Sequence, residues 1–435
     1  MSDVQVGLIG IGLLLSLITL RVPIGVSMIT VSFAGIWYLM GWNVAWGALG
    51  VIPYQFSTNW VLSSVPMFLL LGFVCYHTRL TEGLFRAARM WLSGVPGGLA
   101  ISGILGCAGF ASVCGSSVAC SAAMGRIAVP EMMNQRYSAE LATGTVAAGG
   151  TIGALIPPSI IMILYGIIAQ TSITDLFLGG VTIGLVTMVS YILVIILRVK
   201  LNPDLAPSVN EAIPLSQKIA ALKDVWPIVL VMIGIFGGLF SGMFTPTEAG
   251  AIGALLSCVV ALIARSMTWE RFKNAILETL LTTTSLLIIG IGASLLQRFL
   301  ALSGAGTYIS ELIIGQNADI VWVLAGIVLI YLLLGMFLEP IGAMLLTLPI
   351  VLPIINSAGL SLVWFGVVLT KLLEIGMITP PVGMNVFVIK GVVGNLISTT
   401  GIFKGIMWFL FADFVVLALM MCFPDLVLFL PALAR

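Results

Sequence analysis

Two prolines and three glycines interrupt a long apolar segment in the first half of the chain. The sequence from Gly149 to Ser159 reads GGTIGALIPPS, inside an apolar run over residues 141–169 that is long enough to cross a bilayer. Each proline removes a backbone donor and clashes with the preceding helical turn, so we expect the helix to break there. Broken backbone at membrane depth is tolerated only where it is buried in protein or lines a wet cavity. The segment therefore predicts a site for a polar ligand.

The same interruption recurs in the second half of the chain. The sequence IGMITPP from Ile375 to Pro381 repeats IGALIPP from Ile152 to Pro158. The first proline of the second pair, at 380, lies 223 residues after the first proline of the first pair, at 157. The same shift also pairs Pro23 with Pro246, Gly83 with Gly306, and Pro130 with Pro353. This pattern predicts two structural repeats, each with a broken helix. Such a pair in corresponding positions is the best sequence indicator of a transporter binding site.

The chemistry predicted for these segments is the binding of a hard cation by oxygen atoms. Unwound carbonyls and half-helix C-termini can supply the oxygens for an ion such as sodium, whereas half-helix N-termini suit anionic groups. One expected site combines Ser112, Ser116 and Ser117 with Gly153 and Pro157. A second expected site combines Glu339 with Gly376, Thr379 and Pro380. The alternative is that the breaks only kink packed helices, and their recurrence in both halves argues against it.

A substrate anion requires a different partner, and Arg298 is the first candidate. It lies near the end of an apolar helix, where ionisable residues are costly and are functional candidates by default. A guanidinium binds carboxylates bidentately, so we expect Arg298 to bind the substrate together with Ser116, Ser117 and Glu339. The alternatives are that Arg298 extends to the membrane interface or pairs with Glu339.

Three further ionisable residues lie within predicted spans. Lys371 and Glu374 are three residues apart on one helix, and we expect them to pair with each other. Asp413 lies in the last apolar helix, where the sequence shows no partner and suggests no role.

The elements that position these residues are membrane helices. The chain has 435 residues, of which 60% are hydrophobic and 8% are charged. Its mean hydropathy is +1.20, and soluble proteins have roughly 25% charged residues. The fold class is therefore an all-α polytopic membrane protein, surrounded by lipid. The six cysteines lie in or beside apolar runs and are expected to pack there rather than to form disulfides or bind a metal.

Several functional classes are disfavoured by motifs that the sequence does not contain. It has neither a Walker P-loop nor a zinc-binding HExxH motif, and it has one histidine, so we expect no ATP hydrolysis and no enzymatic activity. The net charge of +1 gives no indication of a polyanionic partner, and we expect no nucleic acid. A passive channel fits two halves with paired breaks less well than a transporter does.

We predict two inverted repeats joined by a linker, each with five transmembrane helices and one re-entrant hairpin. The repeats cover residues 1–199 and 225–435, with a cytoplasmic linker at 200–224. The hairpins are expected at 96–130 and 320–355, and the broken helices at 141–169 and 361–390. The two arms of each hairpin are expected to be too short to cross the membrane completely. One continuous last helix is expected over 403–430.

The positions of the positive charges predict the orientation. With both termini on the periplasmic side, all of the 18 lysines and arginines except Arg298, Lys371 and Arg435 fall on the cytoplasmic side. The positive-inside rule favours this arrangement. It also places the two hairpins on opposite faces, so that their tips can meet near the midplane.

The segment from Gly115-Ser116-Ser117 through the first Pro-Pro break, and its echo GMITPPVGMN over residues 376–385, resemble a known family. The sequence is similar over essentially its whole length to the large membrane (M) subunit of tripartite ATP-independent periplasmic (TRAP) transporters. The resemblance implies an elevator-type, sodium-driven importer of organic acids such as C4-dicarboxylates in the bacterial inner membrane. It also implies two partners, a small four-helix membrane (Q) subunit and a periplasmic substrate-binding protein.

Two other functions remain open from the sequence. One is an ion-coupled carboxylate carrier of the same superfamily that works without a binding protein. The other is a membrane scaffold that only anchors partners, which has no need for exposed backbone at the midplane. Neither the organic acid nor the sodium stoichiometry follows from the residues.

Overall fold

The structure is a computed structural model that describes residues 2–207, 214–314 and 320–434. Within these residues the chain is helical throughout, with no β-strand. The first half contains α1 Asp3–Thr19, α2 Ile24–Met40, α3 Trp42–Ser57, α4 Ser64–Thr78, α5 Glu82–Trp91, α6 Gly98–Cys114, α7 Ser117–Asn134, α8 Ala139–Thr151, α9 Ile160–Ala169 and α10 Ile173–Leu201.

The second half repeats this order after a short connecting helix, α11 Leu215–Leu222. It contains α12 Trp226–Phe240, α13 Pro246–Ile263, α14 Trp269–Ser303, α15 Ala305–Ile314, α16 Ile320–Phe337, α17 Pro340–Ser357, α18 Leu362–Gly376, α19 Met384–Val393, α20 Thr399–Cys422 and α21 Pro424–Leu433. In the described residues, eight helical stretches are long and apolar enough to cross a membrane by length and composition.

The helix boundaries confirm the predicted repeat. Adding 223 to the first and last residue numbers of Glu82–Trp91 gives the bounds of Ala305–Ile314. The same shift converts the bounds of Ser117–Asn134 into those of Pro340–Ser357. The chain is an all-α membrane protein of two inverted repeats with one helical hairpin and one broken helix in each. The two halves differ at one place. In the first half, α3 and α4 are separate helices that meet near Asn59, whereas in the second half the 35-residue helix α14 covers the positions equivalent to both without interruption.

The helices form two packed groups. One group contains α1, α2, α4 and α12 to α14, in which α14 packs along α2 and α4, and α13 packs on α4. The other is centred on α8 and contains both hairpins, both broken helices, α10 and α20. Helix α8 is rich in Gly, Ala and Thr and is buried on every side from Leu141 to Thr151. Small residues of this kind let helix backbones approach closely inside a membrane.

Two expectations about the helices need correction. The last helix does not run unbroken over 403–430, because Pro424 ends α20 at Cys422 and begins α21. The arms of the second hairpin, α16 and α17, have 18 residues each and are long and apolar enough to cross a membrane, which is longer than we expected. In the first hairpin, neither α6 nor α7 meets this criterion.

The linker predicted at 200–224 includes a short helix that packs on the first repeat. The backbone carbonyl of Lys218, on α11, accepts a hydrogen bond from the Trp91 indole at 3.1 Å, and Arg86 pairs with Asp224 at 3.1 Å. Residues 208–213 of the linker, and Arg435 at the C-terminus, lie outside the described residues.

Candidate functional site

In both hairpin tips, an extended residue with a polar side chain precedes the second arm. In the first hairpin α6 ends at Cys114, Gly115 turns the chain with φ +62°, and the extended residue Ser116 caps α7. In the second hairpin Glu339 is the extended residue, and its carboxylate accepts a hydrogen bond from the Gly342 amide at 3.1 Å. A side-chain oxygen at this position satisfies an amide that the helix leaves without a partner. Each tip therefore carries a polar residue at the start of a buried helix.

The two broken helices confirm the prediction made from the Gly and Pro residues. Helix α8 ends at Thr151, and α9 begins at Ile160. Helix α18 ends at Gly376, and α19 begins at Met384. The Pro157–Pro158 and Pro380–Pro381 peptide bonds are both cis. The two breaks therefore have the same backbone form in equivalent places.

Both tips and both breaks border one cavity of about 350 Å³. The first tip contributes Gly115, Ser116 and Ser117, and the second contributes Glu339 and Pro340. Helices α4 and α14 close the other side with Gly72, Tyr76, Glu278, Thr282 and Leu286. The cavity therefore lies between the two groups of helices.

Glu374, which was not among the residues predicted to bind ligands, borders this cavity. It lies on α18, two residues before Gly376, and its side chain is 1% exposed. Its Oε2 accepts a hydrogen bond from the Ser117 hydroxyl at 2.5 Å. This bond joins the second broken helix to the tip of the first hairpin. The signal available in the sequence was an acidic residue within an apolar run, two residues before the glycine at which the second helix breaks.

Lys371 does not form the ion pair with Glu374 that we predicted. Its ammonium group contacts Asp413 on α20 at 2.5 Å, and both side chains are fully buried. It also donates to the Thr187 hydroxyl at 3.1 Å. The prediction was wrong because the two side chains turn to different neighbours, Lys371 to α10 and α20, and Glu374 to the hairpin tip.

Asp413, whose role the sequence left open, is a hydrogen-bond acceptor as well as the partner of Lys371. The Tyr191 hydroxyl lies 2.8 Å from both carboxylate oxygens of Asp413 and 3.0 Å from the Thr151 hydroxyl. Thr151 is the last residue of α8 before the first break. A buried polar network thus runs from one broken helix to the other through α10 and α20.

Of the residues predicted to bind ligands, the structure places Ser116, Ser117 and Glu339 together on the cavity. A Cβ atom added to Gly153 would lie 3.2 Å from the Ser116 carbonyl, so the first break packs directly on the first tip. Ser112 is buried within α6, where its hydroxyl donates to the Gly109 carbonyl at 2.7 Å. The Thr379 hydroxyl donates to the Ile375 carbonyl at 2.6 Å.

Arg298 is not brought to this cavity. It is exposed and lies twelve residues beyond Leu286 on α14, which corresponds to about 18 Å along the helix axis. The part of α14 that borders the cavity is the stretch from Glu278 to Leu286. In this conformation Arg298 therefore does not share a site with Ser116, Ser117 and Glu339.

Replacing Gly115 with alanine is expected to reduce transport at least 10-fold. The left-handed conformation at φ +62° costs an L-residue about 1–2 kcal/mol. In addition, the new Cβ would lie 2.2 Å from the Pro158 carbonyl oxygen, so the first tip must move away from the first break. The measurement is the initial rate of substrate uptake per folded protein in proteoliposomes.

Gly359→Ala is the matched control for this substitution. Gly359 has φ +67°, but an added Cβ would meet no atom within 4 Å. It therefore carries the same backbone cost without the clash. Equal loss of uptake in the two variants would show that close packing between tip and break is unimportant.

A helical membrane protein with two inverted repeats, whose paired hairpin tips and helix breaks border one cavity, has the architecture of a secondary transporter. The family model for the tripartite ATP-independent periplasmic transporter DctM component matches residues 11–426. The chain belongs to this family. It is a transport permease rather than an enzyme.

Comparison with individual proteins agrees with this assignment. The chain is 35% identical to the C4-dicarboxylate TRAP transporter large permease protein DctM of Pseudomonas aeruginosa, over 81% of this chain and 82% of that one. It is 29% identical to the sialic acid TRAP transporter large permease protein SiaM of Vibrio cholerae, over 96% and 97%. The solved structure of Neisseria gonorrhoeae MtrF, from a class of antimetabolite efflux pumps, matches with a TM-score of 0.60 at 16% identity, over 96% and 95% of the two chains. This last match concerns the fold alone.

Proposed function

We propose that the chain is the permease subunit of a sodium-coupled, binding-protein-dependent importer of an organic acid, a C4-dicarboxylate or a similar carboxylate. The observation that carries the proposal is the single cavity bordered by both hairpin tips, both helix breaks and the facing helices α4 and α14. A site at the boundary between two packed groups of helices can be exposed to either side of the membrane when one group slides against the other.

In this proposal the transport domain contains the hairpins, the broken helices, α10 and α20. The scaffold contains α1, α2, α4 and α12 to α14, which pack on one another. The hairpins are re-entrant, and both termini are periplasmic. The polytopic chain resides in the bacterial inner membrane, where the small membrane subunit is its lateral partner and the periplasmic binding protein delivers the substrate.

The proposed sodium sites use the residues at the tips and breaks. The first site consists of Ser112, Ser116, Gly153 and Pro157. The second consists of Glu339, Gly376, Thr379 and Pro380. The packing of Gly153 on the Ser116 carbonyl supports the first site, because it brings backbone oxygens of the tip against the break. No cofactor other than the coupling ion is required.

Arg298 is proposed to meet the substrate in the outward-facing position. The cavity lies opposite Leu286 in this structure, and Arg298 is about 18 Å further along α14. A displacement of the transport domain of that size along α14 brings the cavity to the level of Arg298. There its guanidinium can bind a carboxylate bidentately.

Replacing Arg298 with alanine is therefore expected to raise the half-saturating substrate concentration for uptake at least 10-fold. Hydrogen bonds to charged groups contribute about 1.5–3 kcal/mol, which corresponds to a roughly 10- to 150-fold change in affinity. Uptake kinetics in proteoliposomes measure the effect, and Arg265→Ala, an exposed arginine on the same scaffold, is the control. If Arg298→Ala leaves the concentration dependence unchanged, the arginine does not contact the substrate.

The dependence on a binding protein is tested by reconstituting this chain with its small subunit and offering succinate with or without the binding protein. The proposal predicts uptake only when the binding protein is present. Uptake that is indifferent to the binding protein would instead identify a stand-alone carrier.

A further inference from the structure

Glu374 has one carboxylate oxygen without a partner in the protein interior. Oε2 accepts the Ser117 hydroxyl at 2.5 Å, whereas the buried Oε1 has no hydrogen-bond partner in the part of the chain that the structure describes. Removing an ionised carboxylate from water costs several kcal/mol unless a charge or hydrogen bonds compensate it. Since Glu374 borders the cavity, an ion in the cavity can reach it.

The nearest lysine does not supply that compensation. Lys371 precedes Glu374 by one helical turn, but its ammonium group is held by Asp413 at 2.5 Å and by Thr187 at 3.1 Å. Asp413 is itself fixed by the Tyr191 hydroxyl at 2.8 Å. The buried Lys371 therefore neutralises Asp413, and a negative charge on Glu374 has no compensating positive charge.

The charge of the cavity lining poses a problem for an anionic substrate. Three glutamates border the cavity, Glu278, Glu339 and Glu374, and no lysine or arginine is among the described residues that line it. Glu278 lies 3.3 Å from His77, and Glu339 caps α17. An organic anion that enters such a cavity is repelled unless cations are already present.

We propose that Glu374 is a coupling-cation site, completed from the hairpin side by Ser117, and that it must be filled before the organic anion binds. The ligand is a small monovalent cation, either sodium or a proton, since each supplies the single missing charge. The inference rests on the proposed function and adds to it a third site, which is centred on the Glu374 carboxylate and uses the Ser117 hydroxyl that the sequence had assigned to the first site.

The titratable groups that face Glu374 come from its own helix and from four neighbouring elements. They are Lys371 on its own helix, Asp413 on α20, Tyr191 on α10, Cys120 on α7 and Glu339 at the second tip. Only one of them is cationic, and Asp413 already holds it. A cation at Glu374 therefore has no competitor among its neighbours.

The primary test measures how many cations move with each substrate molecule. Proteoliposomes that contain the permease and its small subunit, supplied with binding protein, are assayed for ²²Na⁺ influx, internal pH and labelled succinate uptake. Glu374→Gln is expected to remove one cation per substrate. A fall of one in the sodium ratio identifies sodium, and loss of proton influx at a constant sodium ratio identifies a proton. Unchanged ratios for both ions would overturn the inference.

A second variant tests the same site without altering Glu374. Asp413→Asn frees Lys371 to pair with Glu374 across one helical turn, so that a tethered ammonium takes the place of the cation. This variant is also expected to move one cation fewer per substrate. A wild-type ratio in Asp413→Asn would contradict the inference.

If neither variant transports, cation binding to the purified protein is measured instead. In purified protein, the count of ²²Na⁺ ions bound at equilibrium, or the rise in Tm as the pH is lowered without sodium, is expected to be smaller in Glu374→Gln than in the wild type. Equal values of both in the two proteins would overturn the inference.

The control is Glu131→Gln, which changes a glutamate on α7, the hairpin helix that begins at Ser117; Glu131 lies outside the cavity and pairs with Arg89 at 2.5 Å. Its cation-to-substrate ratio is expected to equal that of the wild type. If the wild type itself moves no cation with its substrate, the proposed function fails. If the wild type is coupled and the variants keep its ratio, only the Glu374 site fails.

Discussion

Replacing Lys371 with methionine is expected to destabilise the protein by about 3–5 kcal/mol, because it leaves Asp413 as an unpaired charge in the interior. Lys371 and Asp413 are both fully buried, and their contact of 2.5 Å is the only one between oppositely charged side chains that is wholly buried among the described residues. The Tyr191 hydroxyl alone cannot balance the charge of Asp413. The measurement is the free energy of unfolding of the purified protein in detergent.

A double variant separates the loss of a charge partner from the loss of packing. Lys371→Met combined with Asp413→Leu is expected to recover most of the stability, because apolar residues of similar volume often replace a buried ion pair without loss. Asp413→Asn alone is expected to cost less than Lys371→Met, since Lys371 then has Glu374 within one helical turn. A Lys371→Met protein as stable as the wild type would contradict the ion pair seen here.

Replacing Gly376 with alanine is expected to abolish sodium-dependent uptake. Gly376 on α18 packs against Gly335 on α16, and an added Cβ would lie 2.6 Å from the Gly335 Cα and 2.7 Å from its carbonyl carbon. Backbone cannot yield as a flexible side chain does, so the second break must separate from its hairpin. Overpacking of this kind also costs about 1–3 kcal/mol of stability.

Gly326→Ala is the matched control, because Gly326 lies on the same hairpin helix α16 and an added Cβ there meets no atom within 4 Å. It is expected to retain wild-type uptake. The readout for both variants is the sodium concentration dependence of uptake per folded protein. Normal sodium dependence in Gly376→Ala would show that the second break does not form an ion site.

The features that the sequence predicted correctly arise from local chemistry. Glycine and proline determine where a membrane helix breaks, so the interruptions at Pro157 and Pro380 followed from residue type alone. The repeat followed from comparing the chain with itself. Ser116 and Glu339, which we predicted to bind ligands, lie 223 residues apart and occupy equivalent positions at the two hairpin tips.

The features that the sequence could not predict depend on contacts between distant residues. Lys371 and Glu374 are three apart and could pair by spacing, but their partners are Asp413, 42 residues from Lys371, and Ser117, 257 residues from Glu374. Spacing on one helix cannot show which neighbouring helix faces each side chain. For the same reason the exposure of Arg298 on α14 was not visible, although its rarity in a span was.

The most direct test of the account is which ion gradient drives uptake. Proteoliposomes containing this chain and its small subunit receive succinate and the binding protein under an inward sodium gradient, or under an inward proton gradient without sodium. Concentrative uptake is expected under the sodium gradient, and no uptake is expected under the proton gradient alone. Uptake driven by protons in the absence of sodium would contradict the sodium sites proposed at the two helix breaks.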